Sequence, residues 1–191
     1  MRTYDGAVTS TGAVPDRFGD LWSKERDRQN AAYTAMMRAT GHPVSWAYEV
    51  WDAVVANLRH DDNHNRAIAA QVLCNLAISD PDLRILGCLD PLIHVTRDSR
   101  FVTARHCLQS LWKIGLAGPD QRNAVVAALA ARFADAAPEK NATLIRFDIV
   151  VGLRNLYKAT GDETIEPQAL ALVETENDPK YRGKYAKAWR Q

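Results

Sequence analysis

Two imidazoles and two carboxylates stand within five residues at His60-Asp61-Asp62-Asn63-His64, and these are ligand types for a divalent metal. No Cys or Glu lies at a spacing that would complete a tetrahedral set, and so polar a run reads as a turn, so no metal is expected there. His106-Cys107 places a base beside a thiol, but adjacent helical residues point to different faces and cannot form a nucleophile pair. Asp148 alone reads as the partner of a neighbouring arginine rather than as a catalyst. Lys180, Lys184 and Lys187 fall at i, i+4 and i+7 beside Tyr181, Tyr185 and Trp189. That pattern suits either a polyanion or the polar outer surface of a terminal element. The sequence holds no Gly-rich phosphate loop, Gly-x-Ser-x-Gly elbow or His-Glu-x-x-His pair. No catalytic group and no cofactor are therefore expected.

Composition narrows the partners further. Over 191 residues, 24 Lys plus Arg against 23 Asp plus Glu leave a net charge of +1, too little for a global field that would gather nucleic acid or anionic lipid. An apolar fraction of 47% with 25% charged residues permits a buried core and excludes wholesale disorder. The longest apolar run, residues 124–131, falls far short of the roughly 18 residues a membrane-spanning helix requires. The N-terminus shows no secretory pattern, which predicts a cytoplasmic protein. Cys74, Cys88 and Cys107 have no Cys-x-x-Cys spacing and read as reduced, small core residues.

The elements that must position any site are helical. Residues 1–17, rich in Thr, Ser, Gly and Ala, read as a flexible arm, and residues 18–191 as one domain. Apolar residues from Phe18 to Met37 predict a helix to about Arg38, interrupted by the charges of 24–28 and ended by Gly41-His42-Pro43. Another is expected from Trp46, with Ser45 as its N-cap, to Leu58. Beyond it one helix recurs four times. Aligning Arg66, Phe101, Arg146 and Arg182 brings Leu73, Leu108, Leu153 and Trp189 into one column. Ala69, Ala104, Ile149 and Tyr185 form a second, and Leu76, Leu111 and Leu156 a third. The copies stand 35, 45 and 36 residues apart, about two helices plus turns, with one extended connection accounting for the 45. Partner helices are predicted over 83–96, 121–134 and 165–174, each opened by Asp or Pro. Asp90-Pro91 falls inside the first, where proline kinks or breaks a helix.

The helix pairs, the column of Arg followed by two Leu and the kinking proline resemble HEAT repeats over residues 44–190. Phe101 in place of Arg and Trp189 in place of Leu depart from the pattern. The resemblance implies an all-α fold, a right-handed superhelical α-solenoid of stacked antiparallel helix pairs. It also implies that the second helix of each pair lines a concave groove. On those helices Asn75, Ser110 and Asn155 share one column, with Gln71 and His106 a turn away, Lys113 and Lys158 on the other side, and Arg105, Asp148 and Arg154 near. These ten residues are the expected binding face for a protein or peptide partner. Trp51-Asp52 also resembles a pair in bacterial alkylpurine DNA glycosylases, themselves built of HEAT-like repeats. That likeness implies an alternative in which Asp52 stabilises a developing sugar cation, Trp51 contacts a lesion and the groove cations hold phosphates.

Overall fold

In the computed structural model, which describes residues 12–190, aspartate starts four of the helices and arginine ties three of those starts to an earlier part of the chain. Asp62 accepts the His64 amide through Oδ1 at 2.8 Å, opening α3 (Asn63–Leu76). Asp98 accepts the Arg100 amide at 2.8 Å before α5 (Phe101–Leu111). Asp162 accepts both the amide and the hydroxyl of Thr164 before α8 (Ile165–Glu174). Asp178 accepts the Lys180 amide at 2.8 Å in the first turn of α9 (Pro179–Arg190). Each bond satisfies an amide that helix geometry leaves without a partner. The first three aspartates also take an arginine from 32 to 40 residues earlier: Arg26 on Asp62, Arg66 on Asp98 and Arg122 on Asp162. Near the fourth start, Glu176 takes Arg146 from 30 residues earlier.

The remaining helices are α1 (Arg26–Ala39), α2 (Ala47–Asn57), α4 (Leu89–Val95), α6 (Pro119–Asp135) and α7 (Ala142–Thr160). Short 3₁₀ segments cover Phe18–Trp22, Ala77–Ser79, Arg84–Cys88 and Trp112–Leu116, and no strand occurs among the described residues. Helix α3 packs on α1 and α5, α5 on α7, and α7 on α9. The even-numbered helices form a second series, with α6 touching α4 and α8, and α2, α4, α6 and α8 each resting on the next odd-numbered helix. All eleven residues of the three aligned columns are buried, and each large apolar side chain so placed contributes about 1.5–3 kcal/mol. At the C-terminal end Tyr185 meets Phe133 edge to face at 6.2 Å, and Trp189 tilts against Tyr157 at 5.7 Å.

The structure departs from the sequence expectations where local bonding competes with periodicity. The expected helix over 18–38 is two pieces, a 3₁₀ turn and α1, separated at residues 23–25, where Ser23 Oγ accepts the Glu25 amide. Helix α2 starts at Ala47 with Trp46, not Ser45, in the capping position. The expected helix over 83–96 is a 3₁₀ segment followed by α4, whose first turn contains Pro91, so proline opens a helix there instead of kinking one. Leu83, in the left-handed region at φ 58°, ends the turn before it. The long second spacing is taken up by 17-residue α6, by the 3₁₀ segment before it and by the early start of α7. Residues 136–141 join α6 to α7 without a long loop. Of the proposed arm, residues 1–11 lie outside the described residues, and at 12–17 the Pro15 carbonyl already accepts the Phe18 amide at 2.9 Å.

Candidate functional site

The face shared by α1, α3 and the α5 segment, that is α5 with the 3₁₀ turns Trp112–Leu116 that continue it, carries two hollows, and four of the ten expected residues line them. Gln71 and His106 lie in the first, about 180 Å³ in volume, with Tyr33, His64, Val102 and Thr103. Tyr33 donates its hydroxyl proton to Gln71 Oε1 at 2.8 Å, and Gln71 Nε2 donates to the Ala67 carbonyl at 3.0 Å, so the amide is held in one orientation. Burial, and then the charges of Arg105 and His64, push the His106 pKa down, leaving a neutral imidazole at neutral pH. Val102, two-thirds exposed at 66%, stands beside it as an uncovered apolar side chain.

Asn75 and Lys113 lie in the second hollow, about 250 Å³, with Met37, Thr40, Ile78, Trp112 and Leu116. A directed chain of bonds fixes its polar floor. Lys113 Nζ donates to Asn75 Oδ1 at 2.8 Å, Asn75 Nδ2 donates to Thr40 Oγ1 at 3.1 Å, and Thr40 donates to the Met36 carbonyl at 2.8 Å. Because the last acceptor is a carbonyl, the whole chain runs one way and Asn75 must turn its oxygen to the ammonium. Lys113 has no carboxylate partner among the described residues, and burial lowers its pKa. An ammonium held against a neutral acceptor in a partly dry site has the chemistry to pair with an anion.

The other expected residues divide. Arg105 and Asp148 form a forked ion pair, Nε to Oδ2 at 2.7 Å and Nη2 to Oδ1 at 2.8 Å, and Gln109 adds a bond to Oδ1 at 3.2 Å. Asp148 is thus a buried tie between α5 and α7, as its reading beside an arginine implied, and Arg105 spends its charge on it. Ser110 is buried and donates back to the His106 carbonyl at 2.9 Å. Arg154 stacks on Tyr157 and Trp189 at 5.2 and 5.4 Å, with a buried Nε that has no acceptor. Asn155 is half-buried and Lys158 exposed on α7, and neither lines the two hollows. Tyr33, Met37, Thr40 and Trp112 were missed by sequence reasoning. The first three come from α1 and its C-cap, outside the aligned repeats, while Trp112 begins a 3₁₀ segment after the helical pattern of α5 ends.

Elsewhere, chemistry-bearing residues are occupied with structure. Trp51 is buried against Tyr48, 5.7 Å between ring centres, and Asp52 is exposed and ion-paired with Arg84. In the His60–His64 segment, His60 Nδ1 accepts the Asp62 amide at 2.9 Å, and Asp62 caps α3 and holds Arg26. The three cysteines are buried free thiols, and burial pushes Cys74 up to about 12, which keeps it protonated and unreactive at neutral pH. Lys184 lies over Phe147 at 4.6 Å and Lys180 over Tyr181 at 5.7 Å. No helix among the described residues is long and apolar enough to cross a membrane. No protein-family model matches the chain, and no curated protein is significantly similar to it.

Proposed function

We propose that this chain is a HEAT-like solenoid, a single right-handed superhelical array of helix pairs over residues 18–191, that acts as a non-enzymatic scaffold for a protein or peptide partner. The observation that carries the reading is the pair of hollows on α1, α3 and the α5 segment, each joining oriented polar groups to an uncovered apolar side chain, Val102 in one and Leu116 in the other. A peptide needs this combination, since apolar contact supplies affinity and fixed polar groups supply register. The serial packing of α1, α3, α5, α7 and α9 supports the solenoid, because repeat stacks bury a continuous core between like helices. Cytoplasmic placement belongs to the same proposal and is supported by three cysteines kept as thiols. The glycosylase alternative draws no support from Trp51, which sits in the core, or from Asp52, which is neutralised by Arg84.

The test is selection of a displayed random dodecapeptide library on the full chain. Enriched peptides are expected to lose at least tenfold in affinity on Val102→Glu and to be unaffected by Leu170→Glu, a change at an exposed leucine of α8. Peptides that bind both variants equally, or a library that yields no enrichment, would remove the scaffold reading.

A further inference from the structure

We infer that the hollow at Lys113 is a carboxylate-binding site, receiving an acidic group carried next to an apolar side chain on the partner; this deepens the scaffold reading and rests on it. The hollow combines one ammonium, one fixed amide and apolar walls. Lys113 Nζ gives one donor to Asn75 Oδ1, and an ammonium has three, so two N–H groups have no acceptor among the described residues. The Asn75–Thr40 chain holds the ammonium in place before any ligand arrives, which reduces the entropy lost on binding. Met37, Ile78, Trp112 and Leu116 form the walls, with Leu116 38% exposed, and they match an aliphatic side chain beside the acid.

The charge count selects the anion. A single lysine with no arginine fork neutralises one negative charge, which suits a carboxylate and leaves a phosphate dianion undercompensated. Arg105, another cation of the expected face, is already committed to Asp148. A volume of about 250 Å³ admits one amino-acid side chain with its acid group.

N-acetyl-leucine, N-acetyl-leucinamide and inorganic phosphate serve as probes, titrated separately into the full chain while the Trp112 indole resonance is followed by NMR, assigned with Trp112→Phe. N-acetyl-leucine is expected to bind saturably and at least about tenfold more tightly than its amide, the ratio a charge-assisted hydrogen bond supports. Lys113→Met should remove that difference without lowering the melting temperature, and Lys113→Arg should retain it. Equal binding of acid and amide, no binding of either, or tighter binding of phosphate than of N-acetyl-leucine overturns the assignment. The two proposals fail separately. Library peptides sensitive to Val102→Glu but indifferent to Lys113→Met sink only the carboxylate site, whereas a library with no enriched peptide sinks the scaffold, and acid-selective binding then marks a carboxylate site without the peptide partner proposed for it.

Discussion

Arg132 is sealed from solvent, and all of its bonding is internal: Nε to Thr96 Oγ1 at 2.8 Å, Nη2 to the Thr96 carbonyl at 3.2 Å, and a fork to Glu139 at 2.7 and 2.9 Å. Asp148 is comparably buried, but its partner Arg105 keeps 36% of its side chain in water. Glu139, the carboxylate partner of Arg132, is 33% exposed, much as Arg105 is, so the two truncations differ through Thr96 and through the volume removed from the core. Arg132→Ala strands the Thr96 carbonyl and leaves a hole in the core, so a loss of about 3–5 kcal/mol is expected. Asp148→Ala frees an arginine that can rehydrate, and about 1–2 kcal/mol is expected. Urea unfolding of the two variants checks the order, and a larger loss for Asp148→Ala would contradict the account. Nothing in the sequence marks Arg132 as different in kind from an arginine on a solvated helix face. Burial of an arginine depends on what a distant segment brings to it, here Thr96 from 36 residues away.

At the level of elements, two glycines show how closely the helices approach. A Cβ on Gly115 would stand 2.8 Å from both methyl carbons of buried Leu156 and 3.3 Å from Val125, where the 3₁₀ segment after α5 meets α6 and α7. A Cβ on Gly152, in the middle of α7, would meet Trp112 at an ordinary 3.6 Å. Gly115→Ala is therefore expected to destabilise by about 1–3 kcal/mol through overpacking. Gly152→Ala should stabilise by about 0.5–1 kcal/mol, since alanine improves helix propensity without a clash. Thermal melts that show the same sign for both would be inconsistent with this packing. Helices α6 and α8 were legible in sequence within two residues of their observed ends, because proline and acidic signals coincide there with apolar spacing. The piecewise starts of α1 and α4 were not, because a 3₁₀ segment shares enough of the helical spacing to be read as part of the following helix.

For the molecule as a whole, the arginine latches make stability depend on carboxylate charge. Burial alone would raise the Asp98 pKa, but the bonds from Arg66 and from the Arg100 amide outweigh it and hold the carboxyl below its ordinary value. Asp62 is lowered likewise, by the His64 amide and Arg26 against its burial, and Asp162 by the hydroxyl and amide of Thr164 and by Arg122. A carboxyl whose folded pKa is depressed contributes stability above its unfolded value, about 3.9, and loses it as pH falls through the folded value. The melting temperature is thus expected to decline below roughly pH 4, and more shallowly in Asp98→Asn, which has already lost that contribution. Equal acid slopes for the two proteins would remove Asp98 as a source of the decline.

Sequence alone determined the helical class and the leucine and alanine columns of the core, since apolar residues at helical spacing must be buried wherever the helices pack. It also named four polar residues of the two hollows that come from α3 and the α5 segment: Gln71, Asn75, His106 and Lys113. Tertiary structure decided which of the expected groups remain available to a ligand. Arg105 meets Asp148 across 43 residues and Lys113 meets Asn75 across 38, and spacing within one helix carries no information about such partners. Free charge on a surface is what remains after these long-range pairings are made, so it exists only once the helices have stacked.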